Sequence, residues 1–197
     1  MNERIRELLA QMTTMEDEIE DILRARQEKV LYRLKDGKIR FKEDIEAAQQ
    51  KFRKSVLPWL FDSRPANLLS APFVYGMIIP FGIFDLCISL YQSVCFPLYR
   101  IKKVKRSNYI IIDRNHLQYL NSIERLNCVY CGYINGLLGY VREIAARTEQ
   151  YWCPIKHAGK IIDKHSRYHS FVDFGDAEAY QSKLGGLQQL PGKNPEE

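Results

Sequence analysis

The sequence predicts a mainly α-helical, membrane-attached protein, and three observations support this fold class. Apolar residues recur at helical spacing in the first 22 residues and again between residues 117 and 144. Between them lies a long apolar stretch with a single formal charge. Residues 1–57 are predicted to form amphipathic helices with a small β-hairpin, and residues 68–98 a membrane-inserted segment. Residues 107–184 are predicted to form a helical domain in which a bound metal ion could stabilise the fold, and residues 185–197 a disordered tail.

Composition confines the membrane character to one place. The 197 residues leave room for about one compact domain with appendages. The hydrophobic content of 46% and the charged content of 27% are ordinary for a soluble protein. A net charge of +5 is too small to indicate a nucleic-acid footprint, so nucleic acid is not an expected partner. The first twenty residues are rich in charge and contain no secretory signal pattern.

The N-terminal segment predicts an amphipathic helix. Its apolar residues follow a 3-4-3-4-3 spacing, which places them on one seam. They are Ile5, Leu8, Met12, Met15, Ile19 and Ile22. The seam either packs on the rest of the chain or pairs with a protein partner or a second copy, and the pattern leaves these alternatives open.

A small β-hairpin is predicted over residues 30–41. Apolar residues alternate with polar ones on both sides of Asp36-Gly37, and this dipeptide suits the positive φ angles of a type I′ turn. A helical stripe follows in residues 43–56.

The stretch from Leu68 to Leu98 predicts membrane insertion. Its 31 residues include no Lys or Arg and only Asp85 as a formal charge, well beyond the ~18 residues that suggest insertion. Basic residues flank both ends, which favours a re-entrant hairpin turning near Pro80, with both flanks cytoplasmic; a single kinked span is the alternative. A carboxylate inside such a segment marks a function or a specific partner.

The C-terminal region predicts a helical domain. Asp113 is the expected N-cap of a helix that starts near Arg114 and whose pattern resumes through Ile144. Glu143 and Arg147 have the spacing of an intrahelical ion pair. From Gly185 onwards no apolar periodicity remains, so a frayed tail is expected.

Four residues form the pattern C-x2-C-x21-C-x3-H, namely Cys128, Cys131, Cys153 and His157. Three thiolates and one imidazole, in two closely spaced pairs, are ligands that suit zinc. A structural Cys3His zinc site is therefore the first interpretation. Two alternatives remain: cysteines that pack on an uninterrupted helix, and a dithiol redox pair at Cys128 and Cys131. A second candidate metal pair is His165 with His169, which would share a face if this stretch were helical.

The stretches Leu126-Asn-Cys-Val-Tyr-Cys-Gly-Tyr133 and Arg142 to His157, which ends Tyr-Trp-Cys-Pro-Ile-Lys-His, resemble a family of uncharacterised proteobacterial membrane-associated proteins. The resemblance implies a bacterial inner-membrane setting and no particular reaction. No phosphate loop, nucleophile elbow or di-iron motif is present. The expected function is a cytoplasm-facing, zinc-binding membrane adaptor or assembly protein. The alternative is a membrane-bound thiol oxidoreductase or a metal-dependent enzyme with a lipid-phase substrate.

Overall fold

The computed structural model describes residues 3–30, 32–35, 38–41 and 43–189, and most of them are helical. The elements follow in the order α1 (Glu3–Val30), β1 (Tyr32–Lys35), β2 (Lys38–Phe41), α2 (Glu43–Gln50), α3 (Val56–Asp62), α4 (Pro65–Gly76), α5 (Ile78–Leu98), α6 (Ser122–Trp152) and α7 (Ala177–Gln189). The chain forms two compact units. The first comprises residues 1–76 and 112–132, and the second comprises residues 77–111 and 133–197.

In the first unit, the 28-residue helix α1 confirms the predicted N-terminal helix. Five residues of its seam are exposed by 44–61%, and they are Leu8, Met12, Met15, Ile19 and Ile22. The remaining seam residue, Ile5, has a side chain outside the described set. The seam is therefore left uncovered by the described part of the chain, in contrast to the alternative in which it packs internally.

The predicted fold class needs correction at the hairpin. The structure describes two four-residue strands, β1 and β2, paired antiparallel with Tyr32 opposite Phe41 and Lys35 opposite Lys38. The type I′ turn at Asp36-Gly37, on which the predicted hairpin depended, lies outside the described residues, so that hairpin is not shown. Such short pairing is marginal without a packed face, and the fold class is helical.

The apolar stretch is also different from the prediction. Residues 65–98 form one helix long and apolar enough to cross a membrane, interrupted only at Met77, whose φ of −64° and ψ of −15° are still helical. The re-entrant turn expected near Pro80 is wrong, because Pro80 lies in the first turn of α5. Proline is tolerated there, since the first-turn N–H groups have no helical partner.

Helix α5 ends in a sharp reversal at Arg100. The Ile101 N–H donates to the Phe96 carbonyl at 2.8 Å and the Arg100 N–H to the Pro97 carbonyl at 3.2 Å, the two hydrogen bonds of a Schellman motif. Arg100 has a φ of 57°, a left-handed conformation that glycine usually occupies. Both Ile101 and Phe96 are buried, and their contact secures the reversal.

Helix α6 starts later than the sequence predicted. Asp113 makes no side-chain cap, and Arg114–His116 is a single 3-10 turn. The cap is Asn121, whose Oδ1 accepts hydrogen bonds from the backbone of Ile123 and Glu124, both at 3.0 Å. The Glu124 carboxylate in turn accepts the Asn121 N–H at 2.9 Å, which completes a capping box.

The core of the second unit is formed by α5, the segment that follows it and α6. Its buried side chains are Phe96, Ile101, Val104, Leu137, Tyr140 and Ile144. The backbone of Tyr109 and Ile110 passes directly over Gly136 on α6, where a β-carbon would come within 2.6 Å of the Tyr109 carbonyl oxygen. Only glycine permits this close approach.

Helix α7 covers the start of the predicted tail. Gly185 and Gly186 lie inside α7, and the next residue, Leu187, is buried. Its carbonyl accepts from Gln150 at 3.4 Å, and Gln188 donates to the Tyr151 carbonyl at 3.1 Å. These contacts with α6 offset the helix cost of two glycines. Residues 190–197 of the predicted tail are outside the described residues.

Candidate functional site

The inner face of α5 carries polar residues, and each has a partner. The Gln92 amide is 5% exposed. Its Oε1 accepts the Val104 N–H at 2.6 Å, and its Nε2 donates to the Tyr140 hydroxyl at 2.7 Å. At the preceding residue, the Tyr91 hydroxyl lies 2.9 Å from the Thr148 hydroxyl. Buried polar groups are tolerated when they are hydrogen-bonded in this way.

Asp85, the carboxylate singled out from the sequence, is held on the same face by three groups. The Arg106 guanidinium donates to it at 2.6 Å, the Tyr133 hydroxyl at 2.9 Å and the Ser89 hydroxyl at 3.4 Å. The hydrogen bond to Asp85 raises the pKa of Arg106. Burial, followed by the hydrogen bond to Asp85, raises the pKa of Tyr133. Both groups therefore stay protonated, and the partner that the sequence analysis required for Asp85 is present.

The outer face of α5 is apolar and uncovered within the described chain. Six side chains spaced by three or four residues define what we call the outer stripe: Ile79, Ile83, Leu86, Leu90, Val94 and Leu98. Each is exposed by 53–72%. A helix in a water-soluble domain normally has the reverse arrangement, with its apolar stripe inward and its polar residues outward. In α5 the polar residues Asp85, Tyr91 and Gln92 are inward, which is the arrangement of a helix in contact with lipid.

An aromatic cluster lies where α5 ends. The rings of Tyr99 and Tyr151 are stacked with centroids 5.0 Å apart, and Trp152 meets both edge-on at 5.4 and 5.3 Å. Trp152 is 57% exposed. Tryptophan and tyrosine with one wet face are typical of the boundary between lipid and water.

The four predicted zinc ligands lie on different parts of α6 and the loop after it. Cys128 and Cys131 are in the body of α6, whereas Cys153 and His157 follow its last residue. The helix between Cys131 and its end is about 30 Å long at ~1.5 Å per residue. Within the described residues no group of three or more His, Cys, Asp or Glu is placed to hold a metal ion. The Cys3His site therefore stays a prediction from spacing.

The redox alternative also lacks its expected setting. A reactive dithiol gains from a helix N-terminus, but Cys128 and Cys131 lie well inside α6, which begins at Ser122. No disulfide joins any of the five cysteines, all of which are in the described residues. Both cysteines lie on one continuous helix, as in the packing alternative, but Cys131 is exposed and Cys128 is only half-buried.

His165 and His169 do not share an α-helical face. His165 precedes a five-residue 3-10 helix, Ser166–Ser170, which contains His169. His165 Nε2 lies 3.0 Å from a Glu149 carboxylate oxygen. Burial, together with the charges of Lys164 and Lys156, lowers the pKa of His169. The two histidines therefore lie in different surroundings, and only His165 has a carboxylate beside it.

The sequence reasoning missed a buried ion network beside α6. The predicted pair of Arg147 with Glu143 is confirmed at 2.7 Å, but Arg167 from the distant 3-10 helix also donates to Glu143 at 2.8 Å. Arg147 donates further to the Lys102 carbonyl at 2.5 Å. No spacing rule could have found Arg167, because its position depends on the chain folding back after α6.

Comparison with family models, curated proteins and solved structures gives no match.

Proposed function

We propose that this chain is a non-enzymatic membrane-attached adaptor, held by α4 and α5 and assembled through α1. The observation that carries the proposal is the inverted arrangement of α5, with Asp85 and Gln92 inward and the outer stripe outward. Exposing six large apolar side chains to water is unfavourable by roughly 25 cal/mol for each Å². Lipid acyl chains remove that cost.

Helix α4 supports the same conclusion. Its only polar side chains besides Tyr75 are Asn67 and Ser70, and no residue of α4 is buried. Leu69 and Phe73 are exposed by 78% and 79%. Exposed apolar side chains of this size favour a lipid environment over water.

Membrane attachment is tested by flotation of the full chain with phosphatidylcholine vesicles. Replacing Phe73, Leu86 and Leu90 by Ser removes three exposed apolar side chains and is expected to weaken binding by on the order of a hundredfold or more. The matched control replaces Ile111, Ile162 and Phe174, which are exposed by 58%, 99% and 69%. A wild-type chain that stays in the aqueous fraction, or equal loss in both variants, contradicts the proposal.

The α1 seam supports the adaptor role, and its occupant in this proposal is a second copy of the chain. Heptad positions a and d are apolar from Leu8 to Ile22, as parallel helix pairs require. In a parallel pair the flanking Glu16 faces Gln11, and Glu18 faces Leu23, so no like charges oppose each other. Size measurement with and without residues 1–28 tests this: the full chain is expected to be larger than one copy and the truncated chain a single copy.

The finer features of the proposal rest on sequence alone. The bacterial cytoplasmic membrane and the cytoplasmic side follow from the family resemblance and the basic flanks. Reporter fusions before Leu68 and after Arg106 test the side. The zinc staple rests on the C-x2-C-x21-C-x3-H spacing. Stoichiometric zinc that is lost in both Cys128→Ser and Cys153→Ser would support it, and metal retained by the double variant would exclude it.

A further inference from the structure

The segment from Arg100 to Arg106, here called the basic segment, runs back along α5 instead of leaving it. The Ile101 N–H donates to the Phe96 carbonyl, the Val104 N–H to the Gln92 side chain, and the Arg106 guanidinium to Asp85. The further a residue lies along the segment, the nearer its partner lies to the start of α5. Ile101 and Val104 are buried, with exposures of 5% and 6%. These two anchors fix the segment in an extended path beside the helix.

The anchors turn the charged side chains outward. Five of the seven residues are cations, namely Arg100, Lys102, Lys103, Lys105 and Arg106, and all five are exposed. Arg106 pairs with Asp85. No carboxylate in the described part of the chain forms an ion pair with Arg100 or the three lysines. The basic segment is therefore a row of cations whose charge is not neutralised by the described protein groups.

Arg100 adds a second observation. Its left-handed backbone is unfavourable for a residue with a β-carbon, so glycine would suit the Schellman motif better. The arginine places a cation at this point despite that backbone cost. Its neighbours are the exposed Leu98 of the outer stripe and the aromatic cluster of Tyr99, Tyr151 and Trp152.

We propose that the basic segment binds anionic phospholipid headgroups while the outer stripe of α5 lies in the acyl chains below them. This inference rests on the proposed membrane attachment and adds the lipid class and the orientation. Cations beside a membrane-seated helix are attracted to anionic lipids. If α5 crossed the bilayer end to end, the basic segment beside it would carry its cations into the hydrocarbon, which is energetically costly. Helix α5 therefore lies along the interface.

The test compares flotation of the full chain with vesicles of phosphatidylcholine alone and of phosphatidylcholine mixed with phosphatidylglycerol. The wild-type chain is expected to prefer the anionic vesicles, and salt is expected to reduce the preference. Replacing Lys102, Lys103 and Lys105 by Gln is expected to reduce binding to anionic vesicles by on the order of a hundredfold and to leave binding to neutral vesicles unchanged.

The matched control replaces Lys160, Lys164 and Lys183 by Gln, which removes the same net charge from exposed positions of the same unit. A loss as large in this control would mean that net charge alone acts, and it would overturn the inference. Equal wild-type binding to both vesicle types would also overturn it while leaving the membrane proposal intact. Failure to bind either vesicle would overturn both.

Arg100→Gly separates a headgroup role from a structural one. The variant is expected to be more stable to heat, because glycine relieves the left-handed strain, and yet to bind anionic vesicles about fivefold more weakly. Unchanged binding in a stabilised variant would exclude Arg100 from the lipid contact.

Discussion

The side-chain amide of Gln92 pairs with the backbone of Val104, accepting its N–H at 2.6 Å and approaching its carbonyl at 3.4 Å. The Gln92 side chain thus satisfies both backbone groups of Val104, as a neighbouring β-strand would in a sheet. The same amide donates to Tyr140 on α6, so three parts of the second unit meet at one side chain.

Gln92→Leu is expected to lower the free energy of unfolding by about 1–3 kcal/mol. Leucine has a similar volume but leaves the buried Val104 N–H without a partner. Thermal unfolding in detergent measures the change. Ser93→Ala, at the adjacent exposed position, is the control and is expected to have little effect. Equal stability of the two variants would show that the Gln92 hydrogen bonds contribute nothing net.

Gly136→Ala is expected to destabilise the chain by about 1–3 kcal/mol, because the new β-carbon would meet the Tyr109 and Ile110 backbone at 2.6 and 2.8 Å. The control is Gly185→Ala in α7, where nothing lies within 4 Å of a β-carbon. Alanine there improves helix propensity and is expected to stabilise by up to about 1 kcal/mol. Chemical denaturation compares them, and the same sign for both would contradict the packing described here.

The Asp85 and Arg106 pair is asymmetric in its burial. The Asp85 side chain is 15% exposed and that of Arg106 is 48% exposed. Removing the arginine leaves a largely buried carboxylate, whereas removing the carboxylate leaves a guanidinium that water can solvate. Arg106→Gln is therefore expected to cost about 1–3 kcal/mol and Asp85→Asn less than about 1 kcal/mol. Thermal melts of both variants test the order, and the reverse order would contradict it.

His169 predicts a pH dependence on the acid side. Its lowered pKa means that the unfolded chain takes up a proton before the folded chain does. Its contribution to stability is therefore lost as the pH falls below the ordinary histidine value of about 6.5. His169→Gln is expected to flatten the fall in melting temperature between roughly pH 6.5 and 5. A steeper fall in the variant would mean that the pKa of His169 is raised.

Trp152 reports the depth of the α5 end. The chain has two tryptophans, so in Trp59→Phe the emission comes from Trp152 alone. Lipids brominated near the headgroup are expected to quench this emission more than lipids brominated at the acyl-chain ends, because the exposed ring belongs at the interface. Stronger quenching from the chain ends would place Trp152 and the end of α5 in the hydrocarbon and contradict the orientation proposed above.

The sequence predicted the parts of this fold that depend on local periodicity. The seam of α1 and the apolar stretch of residues 68–98 follow from spacing and composition, and both are helical as expected. The turn at Pro80 was wrong because proline breaks a helix interior but fits a first turn. Which of these applies depends on where the helix begins, and α5 begins just after Gly76.

The candidate site depended on long-range packing that spacing does not contain. Asp85 was recognised, but its partner Arg106 is 21 residues away and is brought back by the reversal at Arg100. Glycine at that position would have signalled a helix end, whereas arginine gave no such signal. The zinc site stays a prediction from spacing, because Cys128 and Cys131 also fit one continuous helix, α6, and no metal-holding group is placed among the described residues.

The partners of α5 set an order of events during synthesis. Gln92 bonds Tyr140, and Asp85 bonds Tyr133, in each case a residue 48 positions later in the chain. At about 5–20 residues per second, the ribosome completes α5 several seconds before α6 can cover its polar face. During that interval the nascent helix exposes both an apolar and a polar side to its surroundings. Under the proposed membrane attachment, α5 reaches its final seating only after α6 has been synthesised, late in translation or after release.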